Sequence, residues 1–364
     1  MNSAGLTLAV HAHFGRHVSL KGKPIIEIGD EIIRKAKTLS EAVDIAKRLR
    51  THAAWTFVVS SAKENDAIAI EMTPDLTVVR HAEDGYLGHT NYFHSKELQK
   101  DEAAISGAVT EDCLSRLCRL KELLGQKRGS LVATDLASAL GDHYDSMTQT
   151  SRVVGNTVSV VSTVASVVFE PQDQRLWVST RKQSPTALGD FLEIDVEKFW
   201  NPGYVPAKMK PPSSLSPRFL QAIDHFQKAY TSWHTHNHLD HFAETSRAEL
   251  FKAATLYPED GNLWLQLGIV DFYLKRTHDA LENFQQALTR KLAHHSMAVC
   301  QLYVARCFDL NGNRLAAKAI YQTVDSISEP KLKDAYRHGL RKSFRFSKFS
   351  TMMVDLQFAD TICY

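Results

Sequence analysis

The chain has 364 residues, of which 44% are hydrophobic and 23% are charged. This length and composition predict a soluble globular protein of two domains. The formal net charge of +2 gives no basis for binding nucleic acid or an anionic membrane, and no apolar run is long enough to span a bilayer.

The cysteines indicate the cellular compartment. There are five, an odd number, and none forms a Cys-x-x-Cys pair. We therefore expect reduced thiols in a cytoplasmic protein. The N-terminus has no charged segment followed by an apolar core, so no signal peptide is visible. The cysteines are Cys113, Cys118, Cys300, Cys307 and Cys363.

Residues 1–200 are predicted to form one domain that mixes strands and helices. After a turn at Gly5, Leu6–Val10 alternates between apolar and small or polar residues, as a strand does. Hairpin strands with helices gathered between them favour a layered α+β domain. The predicted helices are Ile28–Lys37, a helix capped by Ser40, Glu111–Leu124 and Leu131–Tyr144. The further predicted strands are Trp55–Ser60, Ala67–Met72, Leu76–Arg80, Thr157–Glu170 and Arg175–Thr180.

Residues 201–217 are predicted to be a linker, because they are rich in proline and serine. Residues 218–345 show only helical periodicity, and 346–364 form a predicted C-terminal tail. Within Asn262–Leu288, small and large residues have the spacing of a tetratricopeptide repeat. The pattern recurs about 34 residues earlier and, with a short insertion, later. We expect a tetratricopeptide-like helical array, with an ordinary helical bundle as the alternative. The residues that match in the central unit are Trp264, Leu267, Gly268, Ala280, Phe284 and Ala287.

Six short segments of the first domain occur in the order typical of one enzyme family. Together they resemble the N-terminal-nucleophile hydrolases of the penicillin acyltransferase type, and the resemblance covers roughly residues 1–195. It implies an incomplete four-layer αββα sandwich ahead of the helical array. The segments are Asn2–Leu6, Thr38–Ala42, Ala67–Glu71, His89–Phe93, Ser115-Arg116 and Thr163–Pro171.

The resemblance also implies two catalytic residues. In such enzymes an N-terminal cysteine attacks an amide carbonyl, and preorganised donors stabilise the oxyanion. By resemblance Asn91 is the oxyanion donor, and Arg116 keeps the field positive near the nucleophile. Alternatively, Asn91 ends a strand in an Asx turn, and Arg116 is an ordinary surface arginine. Arg119, one turn later, is a second candidate for the arginine role or for binding a substrate carboxylate.

The histidines have two interpretations. His11, His13 and His17 invite a metal site, because alternating residues of a strand share a face. We favour a polar strand face beside a pocket, and we interpret His89 as a packing or hydrogen-bonding residue. The tract His234–His241 is interpreted as a solvated turn. No metal and no cofactor are predicted, since no phosphate-binding glycine loop is present either.

The resemblance lacks the nucleophile itself. No cysteine precedes Cys113, whereas the family places its cysteine before the segment that Asn2–Leu6 matches. The first strand is therefore expected to be an interior strand of a truncated catalytic domain. Cys113 and Cys118 are only remote candidates, because they share the helix of Arg116.

Two functions follow from these observations. The first is acyl transfer or hydrolysis of non-peptide linear amide C–N bonds by the complete form, with a small amide or acyl substrate and with this chain inactive. The second is a non-catalytic scaffold whose helical array binds a protein partner.

Overall fold

The structure is a computed structural model that describes residues 1–103, 106–346, 354–358 and 360–361. Most of the predicted tail, 346–364, and Cys363 lie outside the described residues. Antiparallel sheets occur in the first half of the chain, and helices predominate in the second. Among the described helices, none combines the length and the apolar character that crossing a membrane requires.

The secondary structure comprises strands and helices with the following bounds. The strands are β1 (Leu6–Ala12), β2 (Trp55–Ser61), β3 (Asp66–Met72), β4 (Thr77–His81), β5 (Tyr144–Asp145), β6 (Thr150–Ser151), β7 (Val167–Glu170), β8 (Arg175–Ser179), β9 (Phe191–Asp195), β10 (Ala207–Met209), β11 (Val354–Asp355) and β12 (Asp360–Thr361). The helices are α1 (Ile25–Lys35), α2 (Leu39–Leu49), α3 (Lys96–Gln99), α4 (Gly107–Gly125), α5 (Ala133–Leu140), α6 (Pro217–His234), α7 (Phe242–Leu256), α8 (Gly261–Tyr273), α9 (Thr277–Leu288), α10 (His294–Leu310), α11 (Arg314–Tyr321) and α12 (Pro330–Arg341).

Two compact units interleave along the sequence. The first comprises Met1–Ile105, Arg116–Gly141 and Thr163–Ser213, and the second comprises Ser106–Ser115, Asp142–Ser162 and Ser214–Tyr364. Both units therefore take residues from the segment 1–200. The domain boundaries at 200 and 217 stay a sequence prediction.

The first unit contains a four-stranded antiparallel sheet in the order β1-β2-β3-β4. Because strand residues alternate between faces, one face collects the apolar side chains and the other the small and polar ones. The apolar face includes Leu6, Phe57, Val59, Ile68 and Ile70, all at most 1% exposed. Helices α1 and α2 pack on this face. The opposite face is left for polar side chains.

The N-cap of helix α2 lies two residues earlier than the sequence predicts. Thr38, not Ser40, is its N-cap, and the Thr38 hydroxyl accepts a hydrogen bond from the backbone N–H of Glu41 at 3.2 Å. The Glu41 carboxylate accepts the N–H of Lys37 at 2.7 Å. An acid three residues after the cap favours this arrangement. The corresponding residue for Ser40 is the apolar Val43.

A second antiparallel sheet of the first unit has the order β10-β9-β8-β7. Helix α5 covers it through Ala137, which packs with Val168, Trp177 and Phe191. Strand β10 lies inside the segment predicted to be a linker, 201–217. It is an edge strand, where flanking prolines are tolerated because one side of the strand needs no ladder partner.

Two other predicted elements are shorter than expected. The strand predicted over Thr157–Glu170 is restricted to β7, since the preceding residues form loop hydrogen bonds such as Ser159 N–H to Asp142 O at 3.0 Å. The helix predicted over Leu131–Tyr144 ends at Leu140, before Gly141. Tyr144 instead pairs in the short ribbon of β5 and β6.

The second unit consists mainly of helices α6 to α12. Consecutive helices pack in pairs, α6 with α7, α8 with α9 and α10 with α11. A buried ion network joins the loop before the helices to the start of α8. Arg152 is fully buried between Asp145 at 2.8 Å and Asp260 at 3.2 Å. Asp260 also caps α8 by accepting the N–H of Asn262 at 2.9 Å.

Candidate functional site

The polar face of the first sheet holds a row of aligned side chains. His11, Thr56 and Glu71 are directly opposite one another across β1, β2 and β3. Residues opposite one another in an antiparallel sheet lie on the same face. Arg80 of β4 pairs with Ala69, two residues from Glu71, and so lies on this face as well. The segment 88–95, together with Glu102 and Arg116, supplies further residues of the site.

Glu71 anchors that segment. Its side chain is fully buried and accepts hydrogen bonds from Arg80 Nε at 2.7 Å, His94 N at 3.1 Å and Ser95 N at 2.9 Å. The Ser95 hydroxyl donates a fourth at 2.5 Å. Burial raises the pKa of the Glu71 carboxyl, but the hydrogen bonds from Ser95, Arg80 and His94 outweigh it and hold the pKa below its usual value. Glu71 is therefore ionised, and its hydrogen bonds to His94 and Ser95 fix the position of the loop.

A hydrogen-bond chain runs beside Glu71. Arg80 Nη2 lies 3.3 Å from His89 Nδ1, and His89 Nε2 lies 3.2 Å from His13 Nε2. His13 Nδ1 faces the Glu102 carboxylate at 3.3 Å. An arginine only donates and a carboxylate only accepts, which assigns the Nε2–H tautomer to His89 and the Nδ1–H tautomer to His13. Thr56 adds a contact to His13 Nε2 at 2.9 Å.

Three histidines of the cluster, His11, His89 and His94, are neutral near pH 7. Burial lowers the pKa of His11 to about 4, assisted by His13 and Arg116. Burial also lowers the pKa of His94 to about 4, assisted by Arg80. The pKa of His89 is lowered further, by burial first and then by His11 and His13. These three histidines therefore add no positive charge to that of Arg80 and Arg116 near pH 7.

Asn91 and Arg116, which the resemblance implied to be catalytic, meet in the first unit. Arg116 Nη2 donates a hydrogen bond to Asn91 Oδ1 at 3.2 Å. Asn91 Nδ2 donates to the carbonyl oxygen of Ala12, the last residue of β1, at 3.0 Å. The two bonds fix which end of the amide is oxygen and which is nitrogen. Asn91 does not end a strand, since β4 stops at His81 and a turn follows.

The other candidates have different environments. Arg119 forms an ion pair with Glu122 at 3.2 Å on its own helix. Ser115 belongs to the second unit, where its hydroxyl donates to Asp145 at 2.7 Å. Cys113 is buried, also in the second unit, whereas Cys118 is exposed. His17 is 62% exposed beside Asp101 at 3.5 Å.

A metal site does not emerge from the cluster. Across the residues that the structure describes, no group of three or more His, Cys, Asp or Glu side chains is arranged to hold a metal ion. The imidazole nitrogens of His13 and His89 face Glu102, Thr56, Arg80 and each other. This places both histidines in a hydrogen-bonded polar face.

Several residues of the site were not identified from the sequence, namely Arg80, Glu102, His94 and Ser95. The available signal was Glu71, an acid between the apolar Ile70 and Met72 at the end of a strand. A carboxylate there needs buried donors, which the sequence does not identify. The donors come from a loop more than twenty residues later.

Comparison with known proteins identifies the family. No curated protein matches the chain. A family model described as acyl-coenzyme A:6-aminopenicillanic acid acyl-transferase matches residues 1–185, just over half of the 364 residues. The match includes every residue of the site above, from His11 to Arg116. The chain belongs to the acyl-coenzyme A:6-aminopenicillanic acid acyl-transferase family.

Proposed function

We propose that this protein takes part in acyl transfer to or from a linear, non-peptide amide through a cysteine acyl-enzyme, with Asn91 as the oxyanion donor. The hydrogen bonds that fix the Asn91 amide between Arg116 and Ala12 carry the proposal. Family membership supports acyl-transfer or hydrolase chemistry in general.

The fixed amide suits the charge that develops in the reaction. Asn91 Nδ2 has two hydrogens, and the bond to Ala12 uses one of them. The second can be offered to an oxyanion at no cost of reorientation. A donor of this kind already in place supplies a large part of the stabilisation of a tetrahedral intermediate. Asn91 is partly exposed, so a substrate can reach it.

Arg116 acts through Asn91 as a positioning residue. Its guanidinium donates to Oδ1, which directs Nδ2 away from the arginine. Its positive charge also favours a thiolate over a thiol nearby. Arg116 contributes to the low pKa of His11, a sign that its field acts within the cluster.

The proposed chemistry has two steps. A cysteine sulfur attacks the amide carbonyl carbon, and collapse of the oxyanion breaks the C–N bond while the amine leaves with an added proton. The product is a thioester. Water then releases the acid, or a second amine takes the acyl group, and either route regenerates the thiol.

We further propose that the chain is inactive by this route without an added nucleophile. Cys113 is buried, and burial raises the pKa of the Cys300 and Cys307 thiols, the latter to about 12. Cys118 is exposed, but it lies within α4, the helix that also contains Arg116, and is therefore not an N-terminal cysteine. Thiols that stay protonated are poor nucleophiles.

The proposed fold is the incomplete αββα sandwich followed by a tetratricopeptide-like array. Two four-stranded antiparallel sheets, each with helices on one face, support the sandwich. The contact of α8 and α9 supports the repeats. A methyl group added at Gly268 would lie 2.6 Å from the Phe284 ring, so the small residue permits the close approach.

A second candidate function is protein binding by the helical array. Stacked helix pairs present an extended face to partners. Here Val354 and Leu356, near the C-terminus, accept hydrogen bonds from Trp233 of α6 and Gln266 of α8. Binding of the full chain to a peptide library, with loss on Gln266→Ala, would support this function. Absence of binding peptides would contradict it.

The acyl-transfer proposal is tested by amine release from linear acyl amides. The chain alone is expected to give none above background. A longer form whose added upstream sequence supplies an N-terminal cysteine is expected to be active. Turnover by the chain alone that survives Cys113→Ala and Cys118→Ala would contradict the missing-nucleophile proposal.

A further inference from the structure

In the second unit, residues 354–358 and 360 of the C-terminal segment Val354–Asp360 lie against three helices that alternate along the chain. Trp233 Nε1 of α6 donates to the carbonyl oxygen of Val354 at 3.2 Å. Gln266 Nε2 of α8 donates to the carbonyl oxygen of Leu356 at 2.8 Å. His295 of α10 reaches the Asp360 carboxylate at 3.2 Å. Because α6, α8 and α10 each begin a helix pair, they line a common face.

The helices hold this segment through its backbone. Besides the two carbonyl oxygens, the Leu356 N–H donates to His234 Nε2 at 3.3 Å. Trp233 is 7% exposed, and Gln266 and Leu356 are fully buried. The segment is a hairpin, because Val354 and Asp355 pair with Thr361 and Asp360, and Leu356 lies in the turn that follows the first strand. Leu356 supplies the buried aliphatic side chain.

Asp360 provides a charged end to the segment. The Ser106 hydroxyl donates to the same carboxylate oxygen that His295 contacts. All three side chains are at most 5% exposed. A buried carboxylate needs such partners, so this position selects an acid.

The fit of the resident segment is incomplete at Gln266. The amide nitrogen is bonded to Leu356, but the amide oxygen, Oε1, is buried and has no hydrogen-bond partner among the described residues. A buried polar atom left without a partner costs about 1–3 kcal/mol. A segment that also offered an N–H to this oxygen would bind more tightly than the chain's own.

We propose that the face formed by α6, α8 and α10 is a peptide-binding surface whose resident occupant is the chain's own Val354–Asp360. A partner protein would insert a hairpin with an aliphatic residue at the start of its turn and an acid four positions later, at the start of its second strand, and would displace the resident. The inference rests on the second proposal above, that the helical array binds protein, and it names the ligand class.

The test uses the full-length chain and a fluorescent peptide with the sequence of residues 354–361. In the wild type the resident segment competes, so binding is expected to be weak. Leu356→Ala weakens the resident, and the peptide is expected to bind this variant at least tenfold more tightly. Asp360→Asn serves as a second releasing variant, and circular dichroism verifies that each is folded.

Two further changes locate the binding site. Added to the releasing variant, Gln266→Ala is expected to reduce peptide binding about tenfold. Gln285→Ala, an exposed glutamine on α9, is expected to leave it unchanged. Equal peptide binding by the wild type and both folded releasing variants, or none by any, would overturn the inference. Library peptides of other sequence that still bound the full chain would leave the broader protein-binding function standing.

Discussion

Arg116 Nη2 donates a hydrogen bond to Asn91 Oδ1 across 3.2 Å, and the same asparagine donates to Ala12 O at 3.0 Å. The arginine therefore determines which way the Asn91 amide points. In the proposed acyl transfer, this orientation leaves the Asn91 nitrogen to contact the oxyanion, while the arginine contacts the amide oxygen.

Replacing either residue should lower turnover in any catalytically active form of the protein. Asn91→Ala removes the donor, and kcat is expected to fall about 10²–10³-fold. Arg116→Lys keeps the charge but loses the planar guanidinium. We expect a smaller loss, about tenfold, or about 1.4 kcal/mol. Arg128→Lys, 59% exposed, is the matched control. Unchanged kcat in Asn91→Ala would exclude Asn91 as the oxyanion donor.

Glu71→Gln should destabilise the first unit. The change removes a buried charge that accepts from four donors, including Arg80 Nε at 2.7 Å. The free energy of unfolding is expected to fall by about 2–4 kcal/mol. The control is Glu122→Gln. Glu122 is paired with Arg119, and its side chain is 46% exposed. The free energy of unfolding is expected to change by less than about 0.5 kcal/mol in this variant. Urea unfolding measures both changes. Equal losses of unfolding free energy in the two variants would contradict the stabilising role of Glu71.

The neutral histidines predict a loss of stability in acid. Unfolded histidines take up protons near pH 6.5, whereas His11 and His94 take them up only near pH 4 when folded. Between these values the unfolded state binds more protons. The free energy of unfolding therefore falls as pH falls, by at most about 1.4 kcal/mol per unit for each histidine.

Urea unfolding at pH 7, 6 and 5 measures this slope. In His11→Gln the slope should decrease by roughly one proton. His81→Gln, whose side chain is 71% exposed, should behave as the wild type does. If His11→Gln and the wild type gave the same slope, His11 would not be the neutral buried group described here.

Gly268→Ala tests the packing of α8 on α9. The added methyl group would lie 2.6 Å from the Phe284 ring, which is fully buried. Overpacking of this kind costs about 1–3 kcal/mol. The control is Gly125, the last residue of α4, where an added Cβ would have nothing within 4 Å. Gly125→Ala should be neutral or slightly stabilising. Similar thermal midpoints for the two variants would contradict the close approach.

The contacts of the site could not be predicted from the sequence, which also did not identify Arg80, Glu102, His94 or Ser95. Motif order indicated Asn91 and Arg116, 25 residues apart, but their hydrogen bond depends on how α4 packs. The partnership of His13 with Glu102 spans 89 residues. No local pattern specifies a contact at that separation, since tertiary packing alone brings the two together.

Local chemistry explains the differences in secondary structure. Thr38 caps α2 by accepting the N–H of Glu41, and the Glu41 carboxylate accepts the N–H of the preceding residue, Lys37. Strand β10 formed within a proline-rich segment because an edge position requires fewer ladder bonds. Both outcomes follow known rules, but each depends on a neighbour that a single-segment prediction does not consider.

The most direct test of the proposed acyl transfer is amine release from linear acyl amides by the chain alone, by its Cys113→Ala/Cys118→Ala double variant, and by a longer form whose added upstream sequence supplies an N-terminal cysteine. No release above background is expected from the first two. The longer form is expected to turn over, at a rate that Asn91→Ala reduces about 10²–10³-fold. Turnover above background by the chain alone that persists in its double cysteine variant would contradict the proposal.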